Sequence, residues 1–247
     1  MDLSDPTRAI TPTLDGPVLA VLARAGRPLT VGEIAEQAAR GSEIGIRRCL
    51  ARLVDQGIVR AVEMGRNRVH ELNRQHVAAN VAVELAGIRS EFLRRLREVL
   101  AVWDLAPIDA RLFGSAARGD GGPDSDIDLL LVHLPERGEQ LAPNRAPHAT
   151  GFLGSLIDFA NQLSANSTRF AMTALQEKQW QNQVDQLRGQ VQSWTGNQLQ
   201  VVDLSIYEIA GKRKSGSELI ANIDREGIAL TTKPTFNFSS TSTIALK

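Results

Sequence analysis

The segment RLFGSAARGDGGPDSDIDLLLVH, residues 111–133, constrains the fold of this chain more than any other. It predicts an apolar strand, a tight Gly-Ser turn into a short helix, a polar loop and a second strand. The second strand is apolar on both faces beyond its acids, as in the middle of a covered sheet. Residues i and i+2 of a strand share one face, so the carboxylates of Asp126 and Asp128 are expected to project together.

The spacing of this segment is as informative as its composition. Ten residues separate Ser115 from Asp126, which gives the pattern G-S-x10-D-x-D. The pattern resembles the signature of the DNA polymerase β-like nucleotidyltransferase superfamily, and FGSAARGDGGPDSDIDLLLV looks most like its minimal nucleotidyltransferases. The resemblance implies a mixed sheet with flanking helices and transfer of NMP from an NTP. Without the Gly-Ser, the Asp-x-Asp would be read as a loop terminator or capping pair.

The residue types suit that chemistry. Mg²⁺ prefers oxygen ligands and is usually held by one or two carboxylates plus substrate phosphates, so we predict Asp126 and Asp128 as catalytic ligands of Mg²⁺ or Mn²⁺. Gly114 would let the backbone approach the phosphates, and Ser115 could donate hydrogen bonds to them. Arg118 could meet phosphate or could anchor the short helix by a salt bridge. We therefore predict Gly114, Ser115 and Arg118 as nucleotide-binding residues.

The superfamily resemblance also implies a third carboxylate on a neighbouring strand. In GNQLQVVDLSI, residues 196–206, Asp203 is the only acid within the apolar strand. A charge in a core strand is costly unless it is paired or liganded, which favours a metal ligand or catalytic base. Asp203 lies near the end of the strand, so simple solvation stays open, and Glu208 is the fallback.

The N-terminal part predicts a separate helical domain over residues 15–75. Three segments with helical apolar spacing, the second with a capping box at Thr30 and Glu33, precede a β-hairpin around the turn GRN. GIRRCLARLVDQGIVRAVEMGRNRVHELN, residues 45–73, resembles the recognition helix and wing of ArsR- or MarR-like winged helix-turn-helix domains. This resemblance implies a fold in which the third helix and the hairpin can contact DNA.

Arginines on that predicted surface are the candidate DNA-binding residues. They could pair with phosphates and read guanine edges. Winged helices also serve as protein-binding modules, and residues 1–75 hold eleven Arg, no Lys and nine acids, a small excess for a DNA binder. DNA and protein partners therefore both stay open. The candidates are Arg47, Arg48, Arg52, Arg66 and Arg68.

The whole chain is expected to be an α+β multidomain protein. A long connecting helix is predicted between the two domains, and its narrow apolar stripe would pack on its own domain or on a second copy in a homodimer. Residues 136–178 form a possible insertion of open role. The predicted divisions are a tail (1–14), the winged helix-turn-helix (15–75), the connecting helix (76–104), the nucleotidyltransferase domain (105–232) and a flexible tail (233–247).

Composition bounds the location and the partners. The formal net charge of the 247 residues is zero, so any nucleic-acid binding must come from a local patch. Cys49 is the only cysteine, and no run of about 18 apolar residues occurs. The first residues lack a basic segment followed by an apolar one. We expect a cytoplasmic protein without membrane association.

Two functions from different classes fit these patterns. The first is an Mg²⁺-dependent enzyme that transfers NMP to an acceptor hydroxyl on a protein, an RNA or a small molecule. Minimal nucleotidyltransferases often act as antitoxins that adenylylate a HEPN-type toxin, so the resemblance implies a possible toxin-antitoxin or defence context. The alternative is a DNA-binding transcriptional regulator whose nucleotidyltransferase fold senses nucleotides. Labelled product would favour the enzyme, and a specific operator with a steep salt dependence would favour the regulator.

Overall fold

The computed structural model describes residues 1–139, 152–164 and 171–231. The chain divides into two compact units, one formed by residues 1–92 with 121–124 and the other by the described residues of 93–120 and 125–247. The predicted flexible tail, from residue 233 on, and parts of the predicted insertion lie outside the described residues. No described helix has the length and apolar character needed to cross a bilayer.

The first unit places helices before a hairpin, in the order that the sequence predicts. The strands form an antiparallel sheet of order β1-β3-β2, in which β1 is an addition that sequence patterning did not predict. After a short 3₁₀ helix, Pro6–Ala9, its elements are α1 (Asp15–Arg24), β1 (Leu29–Thr30), α2 (Val31–Gln37), α3 (Glu43–Asp55), β2 (Val59–Met64) and β3 (Asn67–Leu72).

Side-chain caps mark where α2 and α3 begin. Thr30 and Glu33 form the predicted capping box at the start of α2, and the Ser42 hydroxyl accepts a hydrogen bond from the amide of Gly45 at α3. By contrast, α1 begins at Asp15 and has no side-chain cap. The Asp15 carboxylate is instead bound by Arg52 of α3.

The predicted N-terminal tail is packed onto the first unit. The carboxylate of Asp5, which is 4% exposed, accepts a hydrogen bond from Nε of Arg40 at 2.5 Å. The same guanidinium donates to the carbonyl oxygens of Thr11 and Thr13 at 3.1 and 2.8 Å. A buried carboxylate with a charged partner requires a fixed backbone around it, so residues before α1 are part of the domain.

The second unit is built on a mixed four-stranded sheet, which confirms the predicted α+β class. The strand order is β6-β5-β4-β7; β5 and β6 run parallel, and the other neighbours run antiparallel. A long helix, α4 (Ala79–Ala101), begins in the first unit and ends in the second. The remaining elements are β4 (Asp109–Phe113), α5 (Gly114–Arg118), β5 (Ile127–His133), α6 (Phe152–Ser164), α7 (Ala174–Thr195), β6 (Leu199–Ser205), α8 (Ile206–Lys214), α9 (Glu218–Glu226) and β7 (Ile228–Ala229).

The apolar core of the second unit explains why α6 is not a loose insertion. Leu130 and Val132 of β5 belong to one buried cluster with residues of α6, α8 and α9. From α6 the cluster takes Leu156, Ile157, Phe159, Ala160 and Leu163. On the other face of the sheet, His133 of β5 meets α7, where the rings of His133 and Trp180 lie 5.4 Å apart. The sheet is thus covered on both faces, as its apolar strands predict.

Candidate functional site

The turn from β4 into α5 brings the backbone of Gly114 against a carboxylate. In the antiparallel pair, Phe113 at the end of β4 lies opposite Asp128 of β5. Gly114 follows with a φ of 67°, and a Cβ at this position would overlap Oδ2 of Asp128. Only glycine adopts this conformation without strain and leaves room for the carboxylate. The Gly-Ser and the Asp-x-Asp of the motif therefore meet in space.

Asp126 and Asp128 flank the first residue of β5 and are held by neighbouring backbone contacts. The amide of Ile127 donates to the carbonyl oxygen of Gln198 at 2.9 Å. The side-chain amide of Asn197 donates to the carbonyl oxygen of Ser125 at 2.8 Å. These bonds hold the start of the strand. Gln200 of β6 is aligned with Asp128, and its Nε2 lies 3.5 Å from Oδ2 of Asp126, so both carboxylates lie on the same side of the sheet, as predicted.

The electrostatics of the pair favour a cation. Partial burial raises the pKa of Asp128, the charge of Asp126 raises it further, and the charge of Arg118 opposes both effects. A bound divalent cation would offset the repulsion between the two carboxylates. Mg²⁺ is commonly held by one or two carboxylates plus phosphate oxygens. The residues present therefore fit Mg²⁺ or Mn²⁺.

Arg118 forms the salt bridges that the sequence left open as its alternative role. Its Nε donates to Oδ2 of Asp120 at 2.8 Å and its Nη1 to Oε2 of Glu226 at 3.0 Å. These hydrogen bonds raise the pKa of Arg118 above its ordinary value. The guanidinium anchors α5 to α9, and its role toward phosphate stays a prediction. The carbonyl oxygen of Ser115 accepts from the amides of Gly119 and Asp120, which closes the same turn.

The structure does not bring Asp203 to the pair. Strands β5 and β6 align Asp203 with Leu131 and Gln200 with Asp128, so Asp203 leaves the opposite face of the sheet. There its carboxylate accepts hydrogen bonds from Nε1 of Trp180 at 3.0 Å and Nε2 of Gln181 at 3.1 Å. Contrary to the prediction, Asp203 anchors α7.

Three further findings concern the carboxylate pair and the acids predicted to join it. Glu208, the fallback acid, forms a capping box with Ser205 at the start of α8. In the described part of the chain, no three His, Cys, Asp or Glu side chains are grouped in a way that could hold a metal ion. The residue beside the pair is Gln200, whose Nε2 lies 3.5 Å from Oδ2 of Asp126. Sequence reasoning missed it because only the strand register identifies it.

The predicted DNA-binding arginines lie in the first unit and fall into two groups. Arg47 pairs with Glu43 at 2.6 Å, and Arg52 pairs with Asp15. All five are exposed; of the other three, Arg48 lies on α3, Arg66 in the β2–β3 turn and Arg68 on β3. A role in DNA binding stays a prediction for all five.

The comparison with protein families gives support for a function of the second unit. Residues 91–182 match the nucleotidyltransferase domain. The matched segment covers less than half of the chain and contains β4, α5 and β5 with Gly114, Asp126 and Asp128; it ends before β6. Such domains typically use a divalent metal and an NTP. The match supports a transferase with a general nucleotidyl-transfer activity, and the mixed sheet is consistent with that fold. Comparisons with curated proteins and with solved structures returned no significant match.

Proposed function

We propose that this protein transfers NMP from an NTP to an acceptor hydroxyl, with Asp126 and Asp128 as ligands of Mg²⁺ or Mn²⁺. The observation that carries the proposal is the close approach of Gly114 to Asp128 within the segment that matches the nucleotidyltransferase domain. An exposed capping pair would not require this approach, whereas a shared phosphate and metal site does.

Each residue of the site has its own role in the proposed reaction. When bound, the divalent cation neutralises charge that develops on the α-phosphoryl group and the leaving pyrophosphate. Asp126 and Asp128 hold the cation from one face of the sheet. Gly114 presents backbone without a side chain, and the hydroxyl of Ser115 donates to a phosphate oxygen. Arg118 keeps α5 in place through Asp120 and Glu226 and adds positive charge beside the pair.

The acceptor defines the biological role, and its class is a protein, an RNA or a small molecule. A protein acceptor would fit a toxin-antitoxin or defence context, and the N-terminal unit would then deliver the enzyme to its target. The order of three helices and a hairpin supports a winged helix-turn-helix there. We propose a cytoplasmic location, which the single, buried Cys49 suits.

The decisive experiment follows label from the α-phosphate. The protein is incubated with α-labelled ATP, GTP, CTP and UTP and Mg²⁺ in a lysate of its own cell. The double variant Asp126→Ala/Asp128→Ala tests the site, and Asp185→Ala, whose carboxylate is 69% exposed on α7, is the control. We expect transferred label with wild type and control alone. Label that persists in the double variant would sink the proposal.

A second candidate is a DNA-binding regulator whose nucleotidyltransferase fold senses an NTP. It is favoured by the exposed Arg48, Arg66 and Arg68 on the third helix and the hairpin. The test is binding to genomic fragments at several salt concentrations, with Arg48→Ala/Arg66→Ala/Arg68→Ala as the variant. A regulator predicts specific binding whose affinity falls with salt and in the variant. Binding of a protein alone would favour the delivery role.

A further inference from the structure

Gln200 is the residue of β6 whose side chain lies beside the carboxylate pair. The register aligns it with Asp128, so Gln200 and both acids leave the same face of the sheet. Its Nε2 lies 3.5 Å from Oδ2 of Asp126. The next residue of β6 on this face is Val202, which packs against the apolar core. In the described β6, the side chain nearest the pair is thus an amide and not a third carboxylate.

We infer that Gln200 is a positioning residue of the proposed transferase site: its amide orients the Asp126 carboxylate, and the cation is held by two carboxylates without a third acid. The inference rests on the proposed function. An amide N–H donates to one carboxylate oxygen and leaves the other free to bind a cation. Hydrogen bonds of this kind fix ligating carboxylates in metal sites.

Charge explains why an amide suits this position. Gln200 lies beside two carboxylates, so a third carboxylate at its position would add repulsion whenever the cation is absent. The neutral amide adds a donor without adding charge. It therefore orients the Asp126 carboxylate before the cation arrives. A carboxylate at position 200 would increase repulsion in the empty site and would add a ligand in the loaded one.

This difference gives two substitutions with opposite expected effects. Gln200→Leu removes the donor at similar size, and we expect Mn²⁺ affinity to fall about tenfold, the low end for lost outer-shell partners, because Gln200 is exposed. Gln200→Glu supplies a third oxygen ligand, and we expect Mn²⁺ affinity to rise about tenfold. A residue that only stabilises the strand would lower affinity in both variants.

The experiment titrates the full chain with Mn²⁺ alone and follows free Mn²⁺ by electron paramagnetic resonance. Gln190→Glu, on the exposed surface of α7, makes the same change of charge elsewhere and is the control. Asp126→Ala/Asp128→Ala reports whether the binding measured belongs to the pair. Thermal unfolding of each variant separates loss of fold from loss of affinity, and Gln200→Glu alone carries the test if Gln200→Leu does not fold.

Each outcome decides something. Opposite shifts in the two Gln200 variants, with an unchanged control, support the inference. If both variants keep wild-type affinity, or both lose it, while the double Asp variant abolishes binding, the inference is overturned and the proposed function stands. If wild type binds no Mn²⁺ and transfers no label, the proposed function and the inference fall together.

Discussion

The carboxylate of Asp128 occupies the space in which any residue other than glycine at position 114 would place its Cβ. Gly114 also has a φ of 67°, in the left-handed region that favours glycine. Sterics and backbone conformation thus select the same residue. This contact links the end of β4 to the start of β5 and makes the motif one spatial unit.

Gly114→Ala should therefore impair the site and the fold together. The added methyl group must displace the Asp128 carboxylate, and the left-handed conformation adds strain. We expect a loss of about 1–3 kcal/mol in the free energy of unfolding and at least a tenfold fall in nucleotidyl transfer. Urea denaturation and the α-label assay measure the two effects.

A matched glycine gives the control for this substitution. Gly189 lies inside α7, and a Cβ there would meet nothing within 4 Å. We expect Gly189→Ala to leave transfer unchanged and to raise the free energy of unfolding by up to about 1 kcal/mol, because alanine favours helix. Equal behaviour of the two variants would contradict the special role of Gly114.

Asp203→Ala should reduce stability without reducing Mn²⁺ affinity. The substitution leaves Nε1 of Trp180, a residue 1% exposed, without its acceptor. An unsatisfied buried donor costs about 1–3 kcal/mol, which chemical denaturation can measure. Mn²⁺ titration provides the second readout. Loss of Mn²⁺ binding in a folded Asp203→Ala protein would contradict this prediction and indicate that Asp203 is a metal ligand.

The sequence predicts those parts of the site whose geometry follows from local periodicity. It does not predict the parts whose geometry depends on the register between strands. Alternation along β5 places Asp126 and Asp128 on one face, and the tight turn at Gly114 follows from the residue type. The relation of β5 to β6 is different, because the register of two parallel strands depends on packing between distant segments. A shift of one residue exchanges the faces of Asp203 and Gln200.

The same distinction holds for the rest of the fold. Helical spacing and capping residues predict α1, α2 and α3, and turn residues predict the hairpin of β2 and β3. The packed N-terminal segment was missed because its anchor is the contact of Asp5 with Arg40, which are far apart in sequence. The sequence indicates only a possible insertion over residues 136–178. That α6 packs in the core depends on its contacts with a distant sheet, which the local sequence does not show.

Asp109 is a buried carboxylate that the proposed reaction does not use. It begins β4, accepts a hydrogen bond from Nε of Arg111 at 3.1 Å, and is 4% exposed. Burial raises the pKa of Asp109 to about 6, and the charge of Arg111 only partly offsets this effect. The folded protein therefore binds a proton at Asp109 more tightly than the unfolded chain, whose aspartate pKa is about 3.9.

This shift predicts a pH dependence of stability with a definite sign. The contribution of Asp109 is fully present below pH about 4 and is lost as pH rises to about 6, because ionisation is favoured in the unfolded chain. The loss is of the order of 3 kcal/mol at most. Asp109→Asn does not titrate, so the difference between wild type and variant in unfolding free energy should change over this window. A difference independent of pH would contradict the prediction.

The pKa of Asp128 can be moved in either direction without a metal. Asp126→Asn removes the negative charge that raises the pKa of Asp128 and should lower it, whereas Arg118→Gln removes the opposing positive charge and should raise it. Carbon-detected NMR of the side-chain carboxyl measures both shifts directly.

Because Asp120 and Glu226 already share the charge of Arg118, the shift in the pKa of Asp128 should be smaller in Arg118→Gln than in Asp126→Asn. Asp185→Asn, remote on α7, should leave the titration of Asp128 unchanged. If the Asp126 variant leaves it unchanged as well, the two carboxylates do not interact and cannot share a cation as proposed.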